Sequence, residues 1–346
     1  MRLLVDILHP AHVHLFRGFI GEMQARGHEV MVTAREKDIA TDLLRAFGIP
    51  HRTLSVQRKG AFSMLTELLR RSWSEWRLAR RFKPDILIGC MGPSIAVAGR
   101  FLPAKTLVYY DNETARIVNA VVSRLCDAYL TPVSFVGDMG RAHRRYEGYH
   151  GLAYLHPGRF TPDPDVLARL GLTPETPFFV VRFVAWESVH DVGETGFSDG
   201  GKRRLIERLA REGRVILSVE GAVPDAFRRY CADVPVQEMH HLLAYCRLFV
   251  GESATMAEEA CLLGSHAIFV SRSGRGVIDE IERRYGLAHY FTASDEDRAL
   301  ARLEELLALP DVKADARARQ QRLLADKIDV TAAMIETVEM MCRGKA

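Results

Sequence analysis

The sequence predicts an α/β protein built from two Rossmann-like lobes, each with a parallel sheet covered by helices, the sheets facing a central cleft. Three observations predict it. Short apolar runs alternate with amphipathic stretches along both halves of the chain. The 346 residues, 48% of them hydrophobic, suffice for two domains of about 150 residues each. Near the middle, Pro157, Pro162, Pro164, Pro174 and Pro177 crowd together, and the alternation stops there and then restarts. The expected division is 1–157, 158–329, and a C-terminal helix at 330–346 packing back toward the N-terminal lobe.

In the first lobe, residues 3–8 read as a strand and 15–26 as a helix. Gly27-His28-Glu29 then supplies a C-cap glycine followed at once by a strand over 29–33, the compact return of a βαβ unit. Helices over 39–47 and 64–81, a strand over 86–88, a helix over 94–101, a strand over 106–109 and a helix over 115–125 follow. The second lobe opens with a strand over 178–181. A helix over 199–212 starts at Asp199-Gly200-Gly201, and strands over 215–219 and 248–250, a helix over 255–263 and a strand over 267–270 complete the repeat of pattern. A polar helix rich in Ala and Arg precedes the last helix, at 330–342.

Composition excludes several classes. Lys plus Arg number 47 against 44 for Asp plus Glu, a net of +3 that is too small for a nucleic-acid footprint. The six cysteines (Cys90, Cys126, Cys231, Cys246, Cys261, Cys342) form no CxxC pair, the pattern of a reducing compartment. Apolar runs fall short of the roughly 18 residues of a membrane span, and Asp6 interrupts any signal-peptide core. A cytoplasmic protein is expected.

In open α/β sheets the ligand sits beyond the carboxyl ends of the strands, so the loops there carry the candidate residues. The first is His9-Pro10-Ala11-His12-Val13-His14, which opens a helix whose unpaired N–H groups suit an anion. His9, His12 and His14 are candidate sugar or phosphate contacts, with plain loop packing as the alternative. They do not share one helical face, so no metal is expected. Tyr109-Tyr110-Asp111-Asn112-Glu113 places two carboxylates between a strand and a helix; Asp111 is either an N-cap or, with Glu113, an acid/base pair, and His12 joins them as a catalytic candidate. Cys90-Met91-Gly92-Pro93-Ser94 is a weaker, phosphate-like turn.

In the second lobe, Gly251-Glu252-Ser253-Ala254-Thr255 runs from a strand into a helix and can present backbone N–H groups of Ser253, Ala254 and Thr255 to a diphosphate. Glu259, four residues after Thr255, is placed to accept both hydroxyls of a ribose. The plainer reading makes Ser253 a helix cap and Glu258 part of a solvated face. Arg272-Ser273-Gly274-Arg275 is a second anion candidate. Arg182, just after the first strand of this lobe, is a further sugar or lid candidate, and the 183–200 loop after it, with Trp186, Glu187, His190, Asp191 and Glu194, is long enough for a lid whose His190 and Asp191 meet a sugar. The helix over 64–81 sets Trp73 and Trp76 among Arg70, Arg71, Arg77, Arg80 and Arg81; this suits a membrane surface or a lipid-linked acceptor, or else a solvated face over two buried tryptophans.

The motif Gly-x-Ser-x-Thr-Met-x-x-Glu-Ala-x-x-Leu-Gly at 251–264, with Val-Asp-Ile-x-x-Pro-x-His-Val-x-x-Phe at 5–16 and Tyr-Asp-Asn-Glu at 110–113, resembles the DUF354 family over nearly the whole chain. That family is in turn similar to nucleotide-sugar proteins of the GT-B fold, including the UDP-N-acetylglucosamine 2-epimerases. The epimerase stretch Ser-Gly-Gly-x-x-Glu-Glu, which holds diphosphate and ribose, falls on Ser253, Ala254, Thr255, Glu258 and Glu259. The epimerase His-x-Glu-Ala falls on Asp111, Asn112, Glu113 and Ala115 with one residue inserted. Ala254 and Thr255 replace two glycines, and the epimerase arginine after the first strand has no counterpart among His9, Pro10 and His12.

The resemblance implies a GT-B-like enzyme with the nucleotide on the C-terminal lobe and the acceptor or sugar on the N-terminal lobe. Metal-independent glycosyl transfer from a nucleotide-diphosphate sugar, a UDP-sugar first, is the leading expectation, with no cofactor. A nucleotide-sugar 2-epimerase or hydrolase is the alternative, and a non-catalytic nucleotide-sugar binding protein a further one. The acceptor, the oligomeric state and a weak contact at the inner membrane face stay open.

Overall fold

The computed structural model describes residues 1–36, 39–56, 61–184, 196–219 and 221–343. Two compact units form: Met1–Arg159 with Lys327–Ala346, and Phe160–Asp326.

The first unit holds a seven-stranded sheet in the order β3-β2-β1-β4-β5-β6-β7, every neighbouring pair parallel. Its strands are β1 (Arg2–Ile7), β2 (Glu29–Glu36), β3 (Arg52–Val56), β4 (Ile86–Cys90), β5 (Lys105–Tyr109), β6 (Ala128–Pro132) and β7 (His143–Tyr146). Successive strands step outward from β1 to β3, and the chain then crosses back to β4. The crevice between β1 and β4 is therefore the topological switch point, where doubly wound folds place ligands. Four of the seven strands were legible in the sequence. The other three are β3 and β7, polar edge strands reading Arg-Thr-Leu-Ser-Val and His-Arg-Arg-Tyr, and β6, short and closed by Pro132. Charged edges resist pairing with other chains, and the same charges hide them from a search for apolar runs.

The helices Pro10–Ala25 and Ala40–Ala46 pack together, and Leu152–Leu155 and the C-terminal Val330–Arg343 pack on the first of them. Thr331 Oγ1 donates to Ala153 O at 2.8 Å, and Arg159 Nε donates to Asp329 at 2.6 Å, which fixes that last helix in the first unit. The other layer is Ala61–Phe82, Pro93–Gly99 and Arg116–Leu125.

Under this second layer lies a charge cluster. Arg71 is ion-paired with Asp6, lies 3.4 Å from Glu75 and donates to Ser55 Oγ at 3.0 Å. Asp6 also accepts from Thr33 Oγ1 at 3.0 Å and Ser94 Oγ at 3.2 Å. Asp6, Arg71 and Glu75 are all buried. Burial, then the charge of Asp6, push the Glu75 carboxyl well above its usual range against the pull of Arg71. One carboxylate facing one guanidinium, with Glu75 protonated, is the arrangement that leaves least charge uncompensated.

The second unit has a five-stranded parallel sheet, β12-β11-β10-β8-β9, from β8 (Phe178–Phe183), β9 (Arg214–Val219), β10 (Leu248–Gly251), β11 (His266–Val270) and β12 (Ala288–Phe291). Phe179, Val181, Leu205, Val250 and Ile268 lie at the centre of its core. Gly251 is required at the end of β10, because a Cβ there would stand 2.5 Å from the carbonyl oxygen of Arg182 on β8.

Candidate functional site

In the first unit Asp6, Gly89 and Val108 are level in register, so the loops leaving β1, β4 and β5 emerge together. His9 is the N-cap of Pro10–Ala25: its backbone is extended at φ −153°, ψ 153°, and its ring Nδ1 accepts the Ala11 N–H at 3.2 Å. His12, one turn on and buried, accepts the Leu8 N–H on Nδ1 at 3.2 Å. A neutral His12 therefore carries its proton on Nε2. The two rings lie 5.9 Å apart. His14 diverges from them: it is buried against Tyr154 at 5.3 Å and Phe47 at 5.7 Å, and so serves the core.

Asp111 does not cap a helix. The next helix begins at Arg116 behind Ala115 with no side-chain cap bond, and Asn112 makes the intervening turn by accepting from Thr114 N at 3.0 Å. Asp111 instead pairs with His150, Oδ2 to Nδ1 at 3.1 Å. His150 follows β7, and its ring stacks on Tyr146 at 6.4 Å and 9°. Burial raises the Asp111 carboxyl, but the charge and hydrogen bond of His150, then the charge of His12, outweigh it and hold the group below its usual range. Asp111, His150 and His12 thus bring one carboxylate and two imidazoles, groups able to do acid/base work, to the carboxyl end of the first sheet.

Glu113 faces elsewhere. It accepts from Val136 N at 3.4 Å and borders a cavity of about 980 Å³ lined also by Arg116, Asn119 and Arg124. The Cys90 to Ser94 turn carries left-handed backbone at Met91 (φ 64°) and Gly92 (φ 49°). Two of its amides are taken by backbone carbonyls, Met91 N by Tyr109 O and Gly92 N by Cys90 O, both at 2.9 Å.

In the second unit Arg182, Gly251 and Phe269 are level across β8, β10 and β11. Ser253 caps Ala254–Leu262, its Oγ accepting from Met256 N at 3.3 Å, and the first-turn amides of Ala254 and Thr255 have no carbonyl partner within the helix. Arg182 reaches Ser218 Oγ at 2.6 Å. Arg275 folds onto its own turn, Nη1 to Ser273 Oγ at 2.9 Å, while Arg272 is exposed. Glu258 is buried, not on a solvated face, and its charge adds to the burial that lifts the Cys261 thiol. Glu259 is buried with Oε1 at 3.0 Å from His240 Nε2, a partner from the Met239–Tyr245 helix that fixes the carboxylate's orientation.

The loop expected to hold His190 and Asp191 lies outside the described residues, along with Trp186, Glu187 and Glu194. Both flanks are described, and one carboxylate holds them. Glu252 Oε2 accepts from Val184 N at 2.8 Å and Oε1 from Phe197 N at 2.9 Å, with Lys202 Nζ 3.6 Å away. Burial raises the Glu252 carboxyl, and Lys202 then the two amides pull it back.

Sequence reasoning missed His150, Glu252 and His240. Glu252 stands inside the motif already singled out, next to a glycine and a cap. His240 and His150 carry no periodic signal, because their partners are 19 and 39 residues away and only the fold brings them in.

A family model described as "Protein of unknown function (DUF354)" matches residues 1–279. An uncharacterized protein of Methanocaldococcus jannaschii is 21% identical over 276 residues, 75% of this chain and 79% of that one. Among solved structures, the UDP-GlcNAc 2-epimerase of Neisseria meningitidis bound to UDP-GlcNAc aligns with a TM-score of 0.65 at 12% identity, covering 98% of this chain and 100% of that chain. The glycosyltransferase VinC in complex with dTDP aligns with a TM-score of 0.63 at 12% identity, over 99% and 100%. These similarities give the fold, which is GT-B-like.

Proposed function

This chain belongs to the DUF354 family, and from that premise and the two sites we propose that it is an enzyme acting on a nucleotide-diphosphate sugar, a UDP-sugar first, by metal-independent glycosyl transfer to an acceptor. One observation carries the reading: the level register of Arg182, Gly251 and Phe269, which brings an arginine, a helix first turn and the Arg272 to Arg275 loop to the carboxyl ends of three adjacent strands. Amides of Ala254 and Thr255 with Arg272 and Arg275 would neutralise a departing diphosphate, the charge a metal otherwise offsets. Glu259, oriented by His240 through Oε1, would meet the ribose hydroxyls with Oε2. In the first unit Asp111, His150 and His12 would handle the proton of the acceptor, with His9 contacting sugar or phosphate.

A 2-epimerase or hydrolase is the second reading, favoured by the concentration of proton-transfer groups around Asp111. Incubation with UDP-N-acetylglucosamine in the presence of a chelator separates the readings. Transfer requires that nothing happen until an acceptor is added; an epimer or free sugar without acceptor identifies the second reading. Binding without turnover under any acceptor leaves only a sensor, and activity abolished by the chelator contradicts metal independence.

A further inference from the structure

We propose that the helical layer of the first unit formed by Ala61–Phe82, Pro93–Gly99 and Arg116–Leu125 docks on an anionic phospholipid surface. The Pro93–Gly99 helix packs against both of the others, so the three form one continuous layer. Its solvent side is apolar to an unusual degree: Leu69 is 61% exposed, Trp73 58%, Phe101, just past the short helix, 74%, and Ile117 82%. The tryptophans are not buried under a solvated face; Trp73 and Trp76 stack at 4.8 Å, with Arg80 4.8 Å over the Trp76 ring.

Exposed charge on the three helices themselves has one sign. Among the described residues of the three helices every exposed charge is an arginine: Arg70, Arg77, Arg80, Arg81, Arg116 and Arg124. The two carboxylates on these helices are turned inward and paired there, Glu67 with Arg35 at 2.7 Å and Glu75 within the Arg71 cluster, whereas Arg116 and Arg124 border Glu113, Asp127 and Asp138, so the uncompensated face is that of Arg70, Arg77, Arg80 and Arg81. The whole chain carries only +3, so these arginines are not the expression of a strongly basic protein. Aliphatic and indole side chains between guanidinium groups match a bilayer interface, where rings sit at headgroup depth and arginines meet lipid phosphates. A nucleic acid would be met by cations and stacking rings, and exposed Leu69 and Ile117 offer it nothing. No described helix is long and apolar enough to cross a membrane, so the contact is one of surface docking.

The test is co-sedimentation of the full chain with vesicles of phosphatidylglycerol and phosphatidylcholine against vesicles of phosphatidylcholine alone. Binding to the anionic vesicles, at least tenfold weaker to neutral ones and reversed by high salt, is expected. Trp73→Ser, and separately Arg77→Gln with Arg80→Gln and Arg81→Gln, should each weaken it at least fivefold with the thermal transition unchanged. A readout on the unaltered chain covers the event that these variants misfold: brominated anionic lipid should quench the tryptophan emission, since two of the three tryptophans are Trp73 and Trp76. Absence of binding to anionic vesicles, equal binding to neutral ones, unquenched emission, or displacement from vesicles by stoichiometric duplex DNA would each overturn the proposal.

Discussion

Arg71→Met removes the guanidinium that stands between two buried carboxylates, Asp6 and Glu75. Burial and the charge of Asp6 push the Glu75 carboxyl up, so Asp6, the direct ion-pair partner of Arg71, bears the loss and retains only the hydroxyls of Thr33 and Ser94 at 3.0 and 3.2 Å. Stranding one partner of a buried pair costs about 3–5 kcal/mol. In a unit of this size that lowers the melting temperature by roughly 6–20 °C. The assay is calorimetric unfolding of the full chain between pH 5 and 8, with Glu75→Gln alongside. Glutamine mimics the protonated acid and should stay within about 1 kcal/mol of the parent. The pH dependence distinguishes them further. A carboxyl raised in the folded state contributes stability that is fully present below its unfolded value of about 4.3 and is lost as pH rises through the folded value. Glu75→Gln should abolish that decline. A cost below about 1 kcal/mol for Arg71→Met, or a larger cost for Glu75→Gln than for Arg71→Met, refutes the charge assignment.

Asp111→Asn should reduce kcat by about 10- to 100-fold, the worth of a hydrogen bond to a charged group, while UDP affinity is kept. Because the Asp111 carboxyl is held low in the folded state, its contribution to stability is present above about 3.9 and is lost as pH falls through the folded value, so the Asn variant should lose less stability on acidification. Glu252→Ala strands the amides of Val184 and Phe197 beside Lys202 and should cost about 2–4 kcal/mol in urea unfolding; unchanged stability would end its role as the clamp that joins Val184 to Phe197. Gly251→Ala should cost at least about 1–3 kcal/mol by the same measurement, since the neighbouring atom is backbone and cannot swing away.

The buried parallel strands were the legible part of the fold. Leu3 to Ile7 and Ala267 to Val270 are apolar throughout apart from Asp6, and glycines at 27 and 264 mark the returns. What periodicity could not find were strands such as His143–Tyr146, where three polar residues pair at an edge whose outer side faces water. In the site, the strand-to-helix turn at Ser253 was readable because its geometry is local. The Asp111 to His150 pair was not, because two further strands intervene before the chain returns with the imidazole. Proximity in sequence misled at Glu113 and His14: two residues along a turn or a helix is enough to point a side chain at different neighbours.

Titration of UDP into the full chain and into Glu259→Gln, followed by calorimetry, tests the nucleotide reading most directly. Glutamine preserves the shape beside His240 but loses the charge that would accept the ribose hydroxyls. A saturable isotherm for the parent and an affinity roughly 10- to 100-fold weaker for the variant are expected, from about 1.5–3 kcal/mol for charge-assisted hydrogen bonds. Equal affinity in the two proteins, or no binding of UDP to either at millimolar concentration, would contradict it.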